Sequence, residues 1–171
     1  VTDVTMIDSG GAMIRRSCPE LRACECAVCD VMEGEGGAGG FSDGKFPYSL
    51  TRGTQMEEIF DPSCQDILWE IDKTVVQWGG EGVWYEPRSS PPEAFVGSPF
   101  QFTSYPLRHI GIDGARQFTH EMCQDLRRRG ITIDMFTKAT GFYISPDGKR
   151  ITGVEAKKAG RSISYNAHVV V

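Results

Sequence analysis

The feature that most restricts this chain is a run of glycines, Glu33-Gly34-Glu35-Gly36-Gly37-Ala38-Gly39-Gly40-Phe41-Ser42-Asp43-Gly44-Lys45. Glycine inside a helix or strand costs backbone entropy, so the run reads as neither. It is expected to be a loop that takes positive φ or approaches another group closely. Gly34, Gly36 and Gly39 spell G-x-G-x-x-G, but a dinucleotide fingerprint needs a helix after it. Here Gly44 and Pro47 follow, and they open no long helix. Gly39 to Lys45 spell G-x-x-x-x-G-K, but Phe46 stands where a phosphate loop needs Ser or Thr for magnesium. A third reading has the bare backbone packing on a large planar or phosphorylated cofactor, with Ser42 and Lys45 adding contacts. A plain surface loop is the alternative, and Phe41 and the dense patterning speak against it.

Around the run, the periodicity predicts ordinary elements. Val4 to Asp8 reads as a short buried strand ending in an acid, broken by Ser9-Gly10-Gly11. A helix is expected over 63–78, capped by Ser63, with Ile67, Leu68, Ile71, Val75 and Trp78 on one face and Gly79-Gly80 ending it. Residues 86–107 carry Pro87, Pro91, Pro92, Pro99 and Pro106 and read as an irregular connection. A second helix is expected over 113–129, with Asp113 as cap, Ala115, Phe118, Met122 and Leu126 as its stripe, and Gly130 as its stop. His120 lies opposite that stripe and should face solvent. Strands follow over 131–136, 141–145, 151–157 and 162–171, with turns at Pro146–Lys149 and Ala159–Arg161. His168 falls in the last of them.

Charge and cysteine content bound the partners. The 171 residues carry 18 Lys and Arg against 23 Asp and Glu, a net charge of −5. A nucleic-acid footprint needs the opposite balance. No apolar run approaches the roughly 20 residues of a membrane span, which argues against a membrane partner. Four of the six cysteines, Cys18, Cys24, Cys26 and Cys29, lie within twelve residues. With no secretory segment visible, reduced thiols in a cytoplasm are expected. Cys26-x-x-Cys29 resembles half of a metal site, although Cys24-x-Cys26 is tight for two ligands. If any metal binds, those four cysteines hold it; small buried hydrophobes and a redox thiol are the alternatives.

From Met32 to Lys45 the chain resembles the G-x-G-G-A-G-x-x-S-D-G-K signature of a family of FAD-dependent dehydrogenases and oxidoreductases. Other pieces agree in order. Val4-Thr-Met-Ile-Asp-Ser-Gly10 looks like the second strand of a dinucleotide fold, with Arg15-Arg16 after it. Tyr105-Pro-Leu-Arg-His-Ile-Gly-Ile-Asp113 is similar to the family's Y-P-x-R-H-x-G-x-D segment. Ile151-Thr-Gly-Val-Glu155 looks like the strand that follows the flavin meander. Little of 50–104 matches.

The resemblance implies an α/β chain: an incomplete FAD/NAD(P)-binding Rossmann-like domain with an antiparallel β-meander and an irregular inserted segment. Residues 1–53 would be one FAD-binding part, 54–107 a cap-like insertion toward substrate, and 108–171 the second FAD-binding part. FAD would be the cofactor, held by Asp8 on the ribose and by Arg15, Gly36, Gly37, Ala38, Gly39, Ser42, Asp43 and Lys45. Arg108 and His109 would be catalytic, a cationic pair for a carboxylate-bearing small-molecule substrate and its protons. The reaction would move a hydride between substrate and flavin. The strand and turn that bind the pyrophosphate are not in the sequence, so the chain reads as an internal fragment. Alone it is expected to be inactive, and to meet a complementary chain or self-associate. Two rival readings stand beside this one: a cysteine-cluster metal or iron–sulfur electron-transfer protein, and a non-catalytic subunit of a complex.

Overall fold

The computed structural model describes residues 3–18, 26–50, 56–59, 61, 64–100 and 102–171. Ser63, expected to cap the first helix, and Cys24 of the cysteine cluster lie outside them. The architecture is mixed α/β with three small sheets. The chain divides into two compact units, Val1–Gly40 with Thr119–Val171, and Phe41–Phe118.

In the first unit, β1 (Thr5–Ile7) pairs in parallel with β5 (Thr132–Asp134), Thr5 opposite Thr132 and Ile7 opposite Asp134. β1 was expected to be buried, but Val4 and Met6 are well exposed, because β5 is its one paired neighbour among the described residues. After β5 the chain turns sharply. Phe136 takes φ +55°, a left-handed conformation that costs a non-glycine residue about 1 kcal/mol or more. Bonds from the Phe136 amide to the Gly10 carbonyl and from the Thr137 amide to the Asp8 carbonyl hold it there. The turn delivers the chain into an antiparallel meander of β6 (Thr137–Ile144), β7 (Ile151–Lys158) and β8 (Arg161–Asn166). Ala159 and Gly160 both take positive φ, which makes the β7–β8 connection a two-residue hairpin matched to strand twist. β8 ends at Asn166, opposite Gly153, rather than running to Val171; beyond it the Ala167 amide still donates to the Thr152 carbonyl at 3.0 Å, close to the start of β7 at Ile151.

The second unit is built on the antiparallel sheet β2 (Lys45–Pro47), β4 (Leu107–His109) and β3 (Val83–Tyr85), with β4 central. None of these three-residue strands is long enough to show a period in the sequence. Phe46, Arg108 and Trp84 are cross-strand partners and share one face; Lys45, His109 and Val83 share the other. Helix α1 (Gln65–Gln77) covers the first face. Its inward side differs from the expected stripe. Trp69 and Asp72 point to the sheet, while Ile67 and Ile71 stand about half exposed. The rotation follows from what the sheet offers: Trp69 stacks with Tyr48 and Trp84, and Asp72 meets Arg108.

Helix α2 (Gly111–Arg128) begins in the second unit and ends in the first. It starts two residues before Asp113, which sits in the first turn where an acid favours the helix dipole. Ala115, Thr119 and Cys123 are its most buried positions. At its end, Gly130 takes φ +89° and Ile131 donates back to the Leu126 carbonyl, a glycine-terminated C-cap as the sequence predicts.

A charged staple ties the meander to the parallel pair. Asp134 accepts from the Lys158 ammonium and from the Tyr165 hydroxyl. Both bonds, the Lys158 one most, hold the Asp134 carboxyl below the usual carboxylate range. A depressed folded-state pKa contributes stability that is present above the unfolded value, about 4, and is lost as pH falls through the lower folded one. Asp134→Asn is therefore expected to cost about 1 kcal/mol near neutral pH, a few degrees in Tm, and clearly less at pH 3. Equal losses at the two pH values in thermal denaturation would contradict this role.

Candidate functional site

The glycine run is not a slack loop. In the first unit it is fixed by four buried or half-buried polar groups. Asp8, at the carboxyl end of β1, uses Oδ1 to accept both the Gly10 amide at 2.8 Å and the Gly34 amide at 2.7 Å. Its Oδ2 takes no bond among the described residues. Glu35 is 4% exposed; it accepts the Met13 amide at 2.8 Å and pairs with Arg127 of α2. Ser9 donates to Glu33, whose carboxyl is held below its usual range by that hydroxyl and by the Cys29 amide.

The fourth group is Arg16, 1% exposed. Its Nε donates to the Asp30 carbonyl at 2.9 Å, and its terminal nitrogens donate to the carbonyls of Val31, Glu35 and Gly37. One guanidinium thus satisfies backbone acceptors across the whole approach to the glycines. Arg15, the neighbour singled out by the sequence, ends the 3-10 turn Met13–Arg15 and is exposed. The doublet announced a cation, but only the turn decides which member goes inward.

Close approach explains why glycine is required, and mostly by the protein itself. Gly34 has φ +108°, and a Cβ there would stand 2.5 Å from the Gly11 carbonyl oxygen and 2.8 Å from Arg16 Cδ. Gly39 is different: its φ is ordinary, and a Cβ would meet nothing within 4 Å. The chain's own packing gives no reason for glycine at position 39. Residues 37–41 form a 3-10 turn, a correction to the expectation that glycines this dense would take no helical form; short 3-10 pieces tolerate them because little regular backbone is at stake.

In the second unit, the Ser42 hydroxyl accepts the Gly44 amide at 3.1 Å, and Lys45 pairs with Asp43 at 2.5 Å on the surface. The pair lowers the Asp43 carboxyl and raises the Lys45 ammonium. Arg108 and His109 do not form a cationic pair, because successive strand residues project to opposite faces. Arg108 lies on the covered face. It grips Asp72 through two bonds at 2.6 and 2.7 Å, donates to the Glu81 carbonyl, and sits 5.3 Å over the Trp84 ring. Asp72 is lowered mainly by that guanidinium, and burial pushes the adjacent Tyr48 phenol well up. His109 shares the open face with Lys45, Val83 and, one step along the strands, Tyr85.

Among the described residues no three or more His, Cys, Asp or Glu side chains gather as a metal ion needs. Cys18 and Cys26 are exposed and Cys29 is half-buried. Buried Cys123 has its thiol pushed up to about 11 by burial, then by Glu35. His120 does not face solvent as expected, since its Nδ1 is buried without a partner among the described residues. His168 lies beyond the end of β8 and is exposed.

The candidates therefore fall into two sets: Asp8, Gly36, Gly37, Ala38 and Gly39 with exposed Arg15 in the first unit, and Ser42, Asp43, Lys45, Arg108 and His109 in the second. No protein-family model matches the chain, and no curated protein matches it in sequence. Among solved structures it is similar to a 3-ketosteroid-delta4-(5alpha)-dehydrogenase from Rhodococcus jostii RHA1, in complex with 4-androstene-3,17-dione. The TM-score is 0.55 at 16% identity, over 80% of this chain and 37% of that one. The two share a fold. This chain spans little more than a third of that enzyme's length. Among the described residues no helix is long and apolar enough to cross a membrane.

Sequence reasoning missed Arg16, Glu35 and Arg127. Glu35 carried a signal, since an acid between two glycines has no reason to be there unless its carboxylate is used. The glycine run depends on Arg16, so Arg16→Met is expected to destabilise the first unit by about 3 kcal/mol or more, leaving buried carbonyls without donors. Arg15→Met should change stability by no more than about 0.5 kcal/mol. Urea titrations of the two variants decide this, and similar losses would contradict it.

Proposed function

We propose that this chain is part of an FAD-dependent oxidoreductase, a dehydrogenase, that moves a hydride between a small-molecule substrate and flavin, and that its first unit is an incomplete Rossmann-like FAD domain. The observation that carries the reading is Gly39. It is a glycine that the chain's own packing does not need, in a 3-10 turn that follows the Gly34 amide held by Asp8, the acid that ends a parallel strand. Ligands of open α/β folds sit at the carboxyl ends of such strands, and an acid there suits a ribose. The resemblance of the Met32–Lys45 run to a flavoprotein signature, and the shared fold with a dehydrogenase, point the same way.

The residues fit the cofactor. Asp8 keeps Oδ2 for the ribose hydroxyls while Oδ1 holds the loop. Gly36 to Gly39 would present backbone to the cofactor, and Arg15, exposed at the end of the Met13–Arg15 turn, would add a cation. In the second unit, Ser42, Asp43 and Lys45 order the segment that follows. When bound, FAD supplies the hydride-accepting centre. His109, on an open sheet face, would hold and release the proton that accompanies hydride transfer. Arg108, saturated by Asp72 and Glu81, would position β4 rather than touch substrate. The exposed apolar edge of β1 suits a strand from a complementary chain or a second copy.

Flavin fluorescence titration tests the reading. The isolated chain is expected to bind FAD weakly and riboflavin more weakly still, because the adenosine half carries the ribose that Asp8 holds. Gly39→Leu should leave Tm unchanged and reduce FAD binding by at least about tenfold, the effect of a clash at one contact. Sedimentation of the same samples should show self-association or recovery of a second chain. Gly39→Leu with undiminished FAD binding, or tight binding by a monomer, would overturn the account. With any substrate that reduces the bound flavin, His109→Gln is expected to slow reduction by roughly 10²–10⁴-fold at unchanged FAD affinity. An unchanged rate would remove His109 from the chemistry.

A further inference from the structure

The Arg–His pair that the sequence places at 108 and 109 is split between two faces of a sheet. Another such pair is brought together at one end of the meander. Arg150 immediately precedes β7, and His168 lies just beyond β8. With Ile151, Thr152, Asn166 and Ala167 they line an open cavity of about 390 Å³. Backbone contacts hold its two arms together. Gly153 stands opposite Asn166, and the Ala167 amide donates to the Thr152 carbonyl at 3.0 Å. A Cβ at Gly153 would stand 2.3 Å from the Tyr165 carbonyl oxygen, so the strands approach closely where the cavity begins. The Arg150 guanidinium, the Asn166 carboxamide and the His168 imidazole have no hydrogen-bond or ion-pair partner among the described residues. The local charge is also unlike the rest. From Thr137 onward Lys and Arg outnumber Asp and Glu six to two, in a chain of net charge −5. Asp147, the acid nearest Arg150 in sequence, is already engaged by the Ser145 hydroxyl and the Lys149 amide.

We propose that this cavity binds a small phosphate monoester, with the phosphate held by Arg150, Asn166 and His168. A carboxylate is satisfied by one guanidinium through two parallel bonds. A phosphate dianion has a third oxygen and a second charge, and calls for further donors and a further cation. The cavity has both to offer. Arg150 would take two oxygens through its fork, and the Asn166 amide and the His168 imidazole would donate to the third. Lys149, next to Arg150 in sequence, adds the second cation. The volume falls in the range of small-molecule sites, roughly 300–1,000 Å³, and is more than a bare phosphate fills. The remainder suits the organic body of the ester, which Ile151 and Ala167 would meet with apolar surface. The Thr152 hydroxyl donates to the Tyr143 carbonyl at 3.3 Å and keeps its lone pairs for a hydroxyl of that body. The basic meander around the cavity would draw an anion toward it.

This inference is independent of flavin binding and is tested without flavin. The full chain is titrated with phenyl phosphate, benzoate and inorganic phosphate. Calorimetry gives the affinities, and the imidazole proton signals of the three histidines locate the site. Phenyl phosphate is expected to move the His168 signals and leave those of His109 and His120 in place. It should bind at least about tenfold more tightly than benzoate or inorganic phosphate. Arg150→Gln should weaken it at least about tenfold, the effect of losing a charge-assisted bond, with Tm unchanged. Arg161→Gln, an exposed cation at the other end of β8, should leave the affinity within about twofold. Benzoate bound as tightly as phenyl phosphate, equal losses in the two variants, signals moving at His109 or His120 instead of His168, or no binding at all would overturn the proposal.

Discussion

The first unit depends on placing one guanidinium inside the protein. A buried cation is expensive unless its hydrogen bonds are fully used. Arg16 meets that condition by turning its donors on the carbonyls of Asp30, Val31, Glu35 and Gly37. Those carbonyls belong to a glycine-rich segment with little side-chain packing of its own, where backbone entropy would otherwise favour disorder. The cation and the glycines explain each other. A side chain at Gly34 would stand on Arg16 Cδ, one at Gly40 would strike the Met13 methyl and crowd Arg16, and without Arg16 the segment would have unsatisfied carbonyls. Glu35 extends the arrangement to helix α2 through Arg127, and Asp8 extends it to the end of β1.

The second unit solves a similar problem with a different pair. Three strands of three residues each bury too little to be stable by themselves. The central strand is held by Arg108, whose two hydrogen bonds to Asp72 and position over Trp84 fasten helix α1 to one face. Tyr48, Trp69 and Trp84 pack together beside it, with ring centroids 5.4 to 6.2 Å apart. The other face, with Lys45, His109, Val83 and Tyr85, is left open. Arg108 is engaged with Asp72 and the Glu81 carbonyl on the covered face, and His109, its neighbour in sequence, lies on the opposite one.

The long elements were legible. Helix α2, the meander and its hairpins followed from period, cap and turn residues, because their burial repeats along the sequence. The 63–78 helix was found, but its inward face was misjudged, since Asp72 counts as polar in any pattern and faces inward only because Arg108 waits there. The strands β2, β3 and β4 left no trace, as three residues carry no period. The glycine run was recognised as constrained, but the residue that constrains it was not. Arg15 and Arg16 are identical in type, and the turn at Met13 that separates them is set by contacts from residues distant in the chain. Asp8 was expected at the end of its strand and stands there, but its bond to the Gly34 amide joins residues too far apart in the chain to be read from the pattern.

Native-state hydrogen exchange on the unmodified chain tests the claim that a buried guanidinium makes the glycine run a fixed scaffold. The amides of Gly34 and Glu35 donate to Asp8 and to the Gly11 carbonyl, and the Met13 amide donates to Glu35. If Arg16 holds the segment, these amides exchange as slowly as those of the β6–β7 ladder, opening only with the unit as a whole. Exchange at the rate of an open surface turn, with the ladder still protected, would show that the run is loose and that the account built on Arg16 is wrong.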